Sequence, residues 1–333
     1  MMSTVTGMSR KPIEDAIALL RANYVFPDKA EAAAAAIQAR LDAGEYDGMD
    51  EAMLGDRLTT QLFELCGDKH LRVRIRAAEL HQAMSEAELL TAYQEMWRLG
   101  NYGITRVERL DGNVGYLDLW GMTDPGIGGD AIAAAMRLVA ETHVLIVDLR
   151  KGRGGAPEGV IFWNSYLFPD GETHLNNIFR AATGQTRQFW SMPYVPGERY
   201  LDRPVYVLTS DTTFSGAEEF CYNLKVQGRA TLIGETTRGG AHPTEAFALT
   251  PTLEITVPNA RSVNPVTGTN WEGTGVEPDI AVPSEKAFDV AYRKALEHVL
   301  ATSPSPTVRD QARAALAGIP EGSADGGSDR NMA

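Results

Sequence analysis

Two runs restrict the fold more than anything else in the chain: VLIVDLRKGRGG over 144 to 155, and PVYVLTSDTTFSGAEEF over 204 to 220. Each opens with an apolar stretch too short for a helix and unbroken by polar alternation, the pattern of a strand buried on both faces. Each then breaks into glycines or small polar residues before a helical pattern begins. Strands of this kind, alternating with helices, pair in parallel through right-handed crossovers and gather ligands at their carboxyl ends. Further strands are predicted at 104 to 110, 113 to 120 and 230 to 234, with helices at 129 to 142, 157 to 168 and 215 to 227. An antiparallel excursion is expected over 244 to 260, and closing helices over 284 to 301 and 306 to 317.

The first hundred residues carry the other periodicity. Ile13, Ile17, Leu20 and Tyr24 fall on one helical face, and Met53, Leu54, Leu58, Leu62 and Leu65 form another stripe. Asp28 with Glu31, and Ser85 with Glu88, have the spacing of capping boxes. The expected organisation is a flexible N-terminus over 1–7, a helical domain over 8–100, an α/β core over 101–302, a C-terminal helix over 303–318 and a disordered tail over 319–333, where little remains to bury.

Charge excludes some partners. With 31 basic against 44 acidic side chains the formal net charge is −13, which repels phosphate backbones and anionic lipid, so neither nucleic acid nor a membrane surface is an expected partner. No leader pattern precedes the first helix, and no stretch approaches the roughly 20 apolar residues of a bilayer span. Only Cys66 and Cys221 are present, too few for a disulfide framework, so a reducing cytoplasm is the expected compartment. No spacing of His, Cys and acidic residues reads as a metal site, and the glycines lack the setting of a nucleotide fingerprint. No cofactor is expected.

Ser215 stands where an apolar strand delivers the chain to the start of a helix. A hydroxyl there lies beside free backbone N–H groups and the positive end of the helix dipole, a setting that suits a nucleophile whose attack creates an oxyanion. The same residue, with Glu218 three positions on, also spells a capping box that would stabilise the helix by about 1 kcal/mol without any catalysis. Gly152, Gly154 and Gly155 after the other buried strand let the backbone approach a ligand and present adjacent amides to an anion.

Four motifs in order, DLRKGRGG, TSDTTFSGAEEF, LIGETTRGGAHP and WEGTGVEPDI, resemble the core of the tail-specific, or C-terminal-processing, serine proteases. The branch they resemble includes interphotoreceptor retinoid-binding protein and the tricorn core protease. NYVFPDKAEAAAAAI and LCGDKHLRV resemble the N-terminal domain of the retinoid-binding branch, and the resemblance covers roughly residues 10 to 300. It implies a crotonase/ClpP-like βαβ core sheet behind an N-terminal helical bundle. Too little chain lies between LRVRI and NVGYL for the PDZ module of many relatives.

The resemblance also implies roles. Ser215 is the nucleophile, and Gly154, Gly155 and the amide of Gly216 are the oxyanion donors. Where Ser/Lys members carry a lysine this chain has Gly240, and Lys225 lies outside that motif. His70 matches the histidine base of the tricorn-like branch, and an imidazole's ordinary pKa of about 6.5 suits that task. Glu272 matches the carboxylate that orients it. Lys69 stands where that branch has a second serine. His242, in GGAHP, is the alternative base. Asp148, Arg150 and Arg238 hold loops together. The implied activity is serine-type hydrolysis of peptide or unfolded-protein substrates, docked along a sheet edge near 172 to 190 or 244 to 258. Two alternatives stay open: a non-catalytic carrier of hydrophobic ligands on the same fold, and an interaction module with a relic site. Oligomerisation is left open as well.

Overall fold

The computed structural model describes residues 10–76, 85–169 and 171–320. The expected flexible N-terminus over 1–7 lies outside the described residues, as does the expected tail from 321 onward. The chain divides into two compact units, neither continuous in sequence. The first comprises Met1–Tyr93, Asn177–Gln188 and Gly240–Val263, and the second comprises Gln94–Asn176, Phe189–Gly239 and Asn264–Ala333.

In the first unit, α1 (Lys11–Asn23), α2 (Pro27–Asp42) and α3 (Glu51–Cys66) cluster with a three-stranded antiparallel sheet. That sheet has the order β1 (Arg72–Ile75), β10 (Leu253–Pro258), β9 (Thr244–Ala248), with Val73 opposite Ile255 and Ile255 opposite Phe247. The face Ile13, Ile17, Leu20 and Tyr24 is buried as its spacing predicts. The α3 stripe is narrower than predicted: Leu54, Leu58 and Leu62 are buried with Cys66, whereas Met53 and Leu65 face solvent, because they lie off that row of the helix. The expected cap at Asp28 is also displaced. Proline starts α2 one residue earlier, and Glu31 instead takes two hydrogen bonds from Arg21 of α1. Asp50 caps α3 through the Met53 N–H.

Two strands that the sequence pattern did not announce, β5 (His174–Arg180) and β6 (Gln185–Trp190), form a second three-stranded sheet with β11 (Ala260–Val263). The polar runs HLNN and QTRQ hide them from an apolar-strand search. Helix α4 (Glu86–Leu99) begins with the predicted capping box, since the Ser85 N–H and hydroxyl both donate to Glu88 and the Glu88 N–H returns to Ser85.

The second unit is built on a six-stranded sheet ordered β12 (Ile280–Ala281), β8 (Thr231–Gly234), β7 (Val205–Thr209), β4 (Val144–Asp148), β3 (Val114–Leu119), β2 (Ile104–Leu110). Five strands run parallel, as the alternation with helices requires; β2 pairs antiparallel with β3 across a tight turn, so the sheet is mixed. Side chains alternate between its faces. Val114, Tyr116, Val144, Ile146, Leu208 and Ile233 pack beneath α8 (Ser284–Thr302) and α9 (Pro306–Gly318). Ile319, expected to begin the tail, is buried in that same cluster. The crossover helices are α5 (Pro125–Val139), α6 (Pro157–Ser165) and α7 (Gly216–Val226). Among the described residues no helix is long and apolar enough to cross a membrane.

Candidate active site

Ser215 is the residue between β7 and α7, and its backbone is held at φ 58°, ψ −126°. A residue with a Cβ adopts that conformation only under strain worth about 1–3 kcal/mol, so the surroundings must impose it. They do so by stitching the 210–214 loop to the loop after β4. Thr213 Oγ1 donates to the Leu149 carbonyl at 2.8 Å, Ser210 Oγ to the Arg150 carbonyl at 2.6 Å, and the Phe214 N–H to the Gly152 carbonyl at 3.0 Å. The serine is thereby fixed at the carboxyl edge of the parallel sheet.

The capping box expected of Ser215 and Glu218 is formed. Glu218 Oε2 accepts the Ser215 N–H at 2.8 Å, while the N–H groups of Glu218 and Glu219 go to the Ser215 carbonyl. The Ser215 side chain in turn faces the Glu218 N–H, so both arms of the capping box are present.

Glu218 does more than cap. Fully buried, it accepts on Oε1 from Thr237 Oγ1 at 2.5 Å and from the Gly239 N–H at 2.6 Å. Gly239 in turn accepts from the Gly273 N–H at 3.3 Å, and the Val276 N–H reaches Thr237 Oγ1 at 2.8 Å. A continuous hydrogen-bonded path thus joins the Ser215 turn to the loop carrying Glu272. That loop is set by buried Trp271 and by the Glu272 N–H donating to Asn270 Oδ1 at 2.9 Å.

The glycine run lies directly against the serine. A Cβ at Gly154 would stand 2.6 Å from the Gly216 nitrogen and 2.8 Å from the Ser215 Cβ, and one at Gly155 would stand 2.1 Å from the Met122 carbonyl oxygen. Both glycines have positive φ, 93° and 151°. No side chain fits there, which leaves bare amides beside Ser215. Among the described residues no backbone carbonyl accepts from the N–H of Gly154, Gly155 or Gly216. The second unit therefore assembles Ser215, Gly154, Gly155 and Gly216 at one point, with the Glu272 loop tied to them through Glu218.

His70 and His242 belong to the first unit. His70 follows α3 on a turn that starts at Gly67 in the left-handed conformation and leads into β1. Its N–H donates to Asp68 Oδ1 at 3.0 Å, and its carbonyl accepts from Thr256 Oγ1 at 2.5 Å. Asp68, 2% exposed, also meets His242 Nδ1 at 2.7 Å and the Tyr24 hydroxyl at 3.2 Å through Oδ2. Burial alone would raise the Asp68 carboxyl; the His242 hydrogen bond and charge, with the His70 N–H, outweigh burial and hold it below the usual carboxylate range. Asp68 was not singled out from the sequence. The signal was its spacing, two residues before His70, where an aspartate closes an Asx-turn.

Other charged groups divide by location. Lys225 sits in the last turn of α7, paired with Asp279 at 3.4 Å and donating to the Glu277 carbonyl. Asp148 and Arg150 form a forked pair, closed at 2.6 Å, with Tyr116 donating to Asp148 and Arg150 reaching the Ser284 carbonyl. They line a separate polar cleft of about 460 Å³ whose wall does not include Ser215. One turn into α7, Glu219 is buried, and burial pushes its carboxyl up to about 7, reinforced by the charge of Glu158 and opposed by an Asn176 hydrogen bond.

The second unit is thus a mixed α/β core whose strand β7 delivers a strained serine to the start of α7. Comparison with known proteins makes the assignment specific. Residues 113–282 match Peptidase family S41, and residues 4–97 match the N-terminal domain of that family's peptidases in eukaryotic IRBP. The chain belongs to peptidase family S41. Solved structures of similar fold include a candidate peptidase from Parabacteroides merdae, at 19% identity and TM-score 0.57 over 82% of this chain and 89% of that one. The photosystem II D1 C-terminal processing protease matches at 14% identity and TM-score 0.53, over 92% of this chain and 99% of that one. The tricorn protease matches at 14% identity and TM-score 0.50, over 92% of this chain and 36% of that one. At these identities the likeness is one of fold.

Proposed function

We propose that this S41 peptidase cleaves peptide bonds by acyl transfer through Ser215. The observation that carries the reading is the strained Ser215 backbone beside the unused amides of Gly154, Gly155 and Gly216. Strain of this kind is concentrated at functional sites, and a serine held on such a strand-to-helix turn presents its hydroxyl for attack. In the proposed reaction a general base removes the Ser215 proton, Oγ attacks the substrate carbonyl, and the glycine amides stabilise the oxyanion. The amine leaves with a proton from the base, and water then hydrolyses the acyl-enzyme. The motif positions assign the base to His70 and its orientation to Glu272. The place of Lys225 at the far end of α7 and its partners Asp279 and Glu277 support an imidazole rather than an amine base.

A double-mutant cycle tests the assignment. Ser215→Ala should reduce kcat by orders of magnitude with the fold retained, and adding His70→Ala should cost little more, since a unit already broken is not broken twice. Losses that multiply would separate His70 from the chemistry of Ser215.

A further inference from the structure

The acyl-transfer scheme leaves His242 unused, yet the imidazole is 5% exposed and its Nδ1 is bound to a carboxylate that is itself almost completely buried. The ring stands edge-on to Phe26 with centroids 5.3 Å apart, and Phe26 stacks edge-on against Tyr24 at 5.7 Å, the residue whose hydroxyl donates to the same carboxylate. His242 is therefore held on two sides, by packing and by Asp68. The other oxygen of Asp68 takes the His70 N–H, the Leu71 N–H closes the turn onto the Asp68 carbonyl at 3.3 Å, and Thr256 holds the His70 carbonyl. A single carboxylate thus connects a packed imidazole to the main chain of the residue assigned as base.

We infer that Asp68 is a positioning residue that fixes the His70 turn, and that His242 is its anchor rather than a second base. The inference rests on the reading of His70 as the base of the Ser215 reaction. Asp68 needs a full charge for this task, since it receives donors from His242, Tyr24 and the His70 main chain at once, and a neutral amide would present a donor to one of them. Cys66 also lies beside it, with its thiol pushed up to about 11 by burial and then by the Asp68 charge; Lys29 donates to the Cys66 carbonyl. The thiol supplies no proton acceptor that could replace Asp68 at neutral pH.

The test compares His242→Phe, His242→Asn, Asp68→Asn and His70→Ala in the full chain, with kcat, KM and the pH profile measured on an unfolded-protein substrate. His242→Phe keeps a ring against Phe26 but removes the donor. His242→Asn restores a donor near the Nδ1 position. A misplaced base costs about 10- to 100-fold in rate. His242→Phe should therefore lose about that factor in kcat with KM changed less than about threefold, and His242→Asn should recover most of the loss. Asp68→Asn should lose a similar factor and shift the acid limb of kcat/KM to lower pH, because a negative charge beside the imidazole is gone. Equal loss of about 10³-fold or more in both His242 variants would make His242 a base and overturn the inference. Wild-type kcat and pH profile in His242→Phe, with His70→Ala inactive, would overturn it while leaving the His70 assignment standing. An active His70→Ala would remove both. If Asp68→Asn does not fold, the two His242 variants decide alone.

Discussion

Replacing Ser215 by glycine and by alanine separates strain, capping and catalysis in one experiment. At φ 58°, ψ −126° a side chain costs about 1–3 kcal/mol that glycine does not incur. Glycine loses about 0.5–1 kcal/mol of that advantage through the greater freedom of its unfolded chain. Ser215→Gly should therefore stabilise the protein by about 1 kcal/mol, or raise Tm by about 2–4 °C for a unit of this size. Ser215→Ala retains the Cβ and its strain but loses the side-chain arm of the capping box, and should cost about 1 kcal/mol. Without backbone strain, glycine would instead fall a few tenths of a kcal/mol below wild type. Both variants should lack peptidase activity. Urea titrations followed by tryptophan fluorescence, with thermal scans alongside, measure the difference. A glycine variant less stable than wild type would refute the assignment of strain to Ser215.

Three further outcomes follow from named groups. Glu219 has a folded pKa of about 7 against an unfolded value near 4.5, so the folded state binds the extra proton and stability falls as pH rises from about 4.5 to about 7; Glu219→Gln should abolish that slope and be more stable at pH 8 by up to ~3 kcal/mol in denaturant titrations. Gly155→Ala places a Cβ 2.1 Å from the Met122 carbonyl at φ 151°, and should lower Tm sharply and remove activity, whereas Gly184→Ala, with open space around it, should bear only the cost of its positive φ. Lys225→Met should leave kcat within about twofold and the pH profile unchanged; a collapse of activity would return an amine base to consideration.

Much of this was legible because it rests on local chemistry. The apolar runs at 144 to 150 and 204 to 209 are strands buried on both faces, and their period and flanking glycines marked both the sheet and the serine at its edge. Ser85 with Glu88 announced a helix start correctly, while Asp28 with Glu31 did not, since Pro27 competes for the first helical position and Arg21 for Glu31. Strands β5 and β6 were hidden by polar residues, because a strand with solvent on one side has no continuous apolar signature. Glu218 read as a cap, and its tie to Thr237 and Gly239 became visible only when residues about 20 positions apart met in space. Asp68 was missed for the same reason, since its partner His242 is 174 residues away.

The central claim is that Ser215 is an activated nucleophile, and covalent labelling tests it most directly. The native chain, incubated near neutral pH with a serine-directed fluorophosphonate and examined by intact mass and peptide mapping, should take up one equivalent of reagent on Ser215 at a rate well above that of any other hydroxyl. Folded protein that remains unlabelled at high reagent concentration, or that carries the adduct on a different residue, would contradict the account.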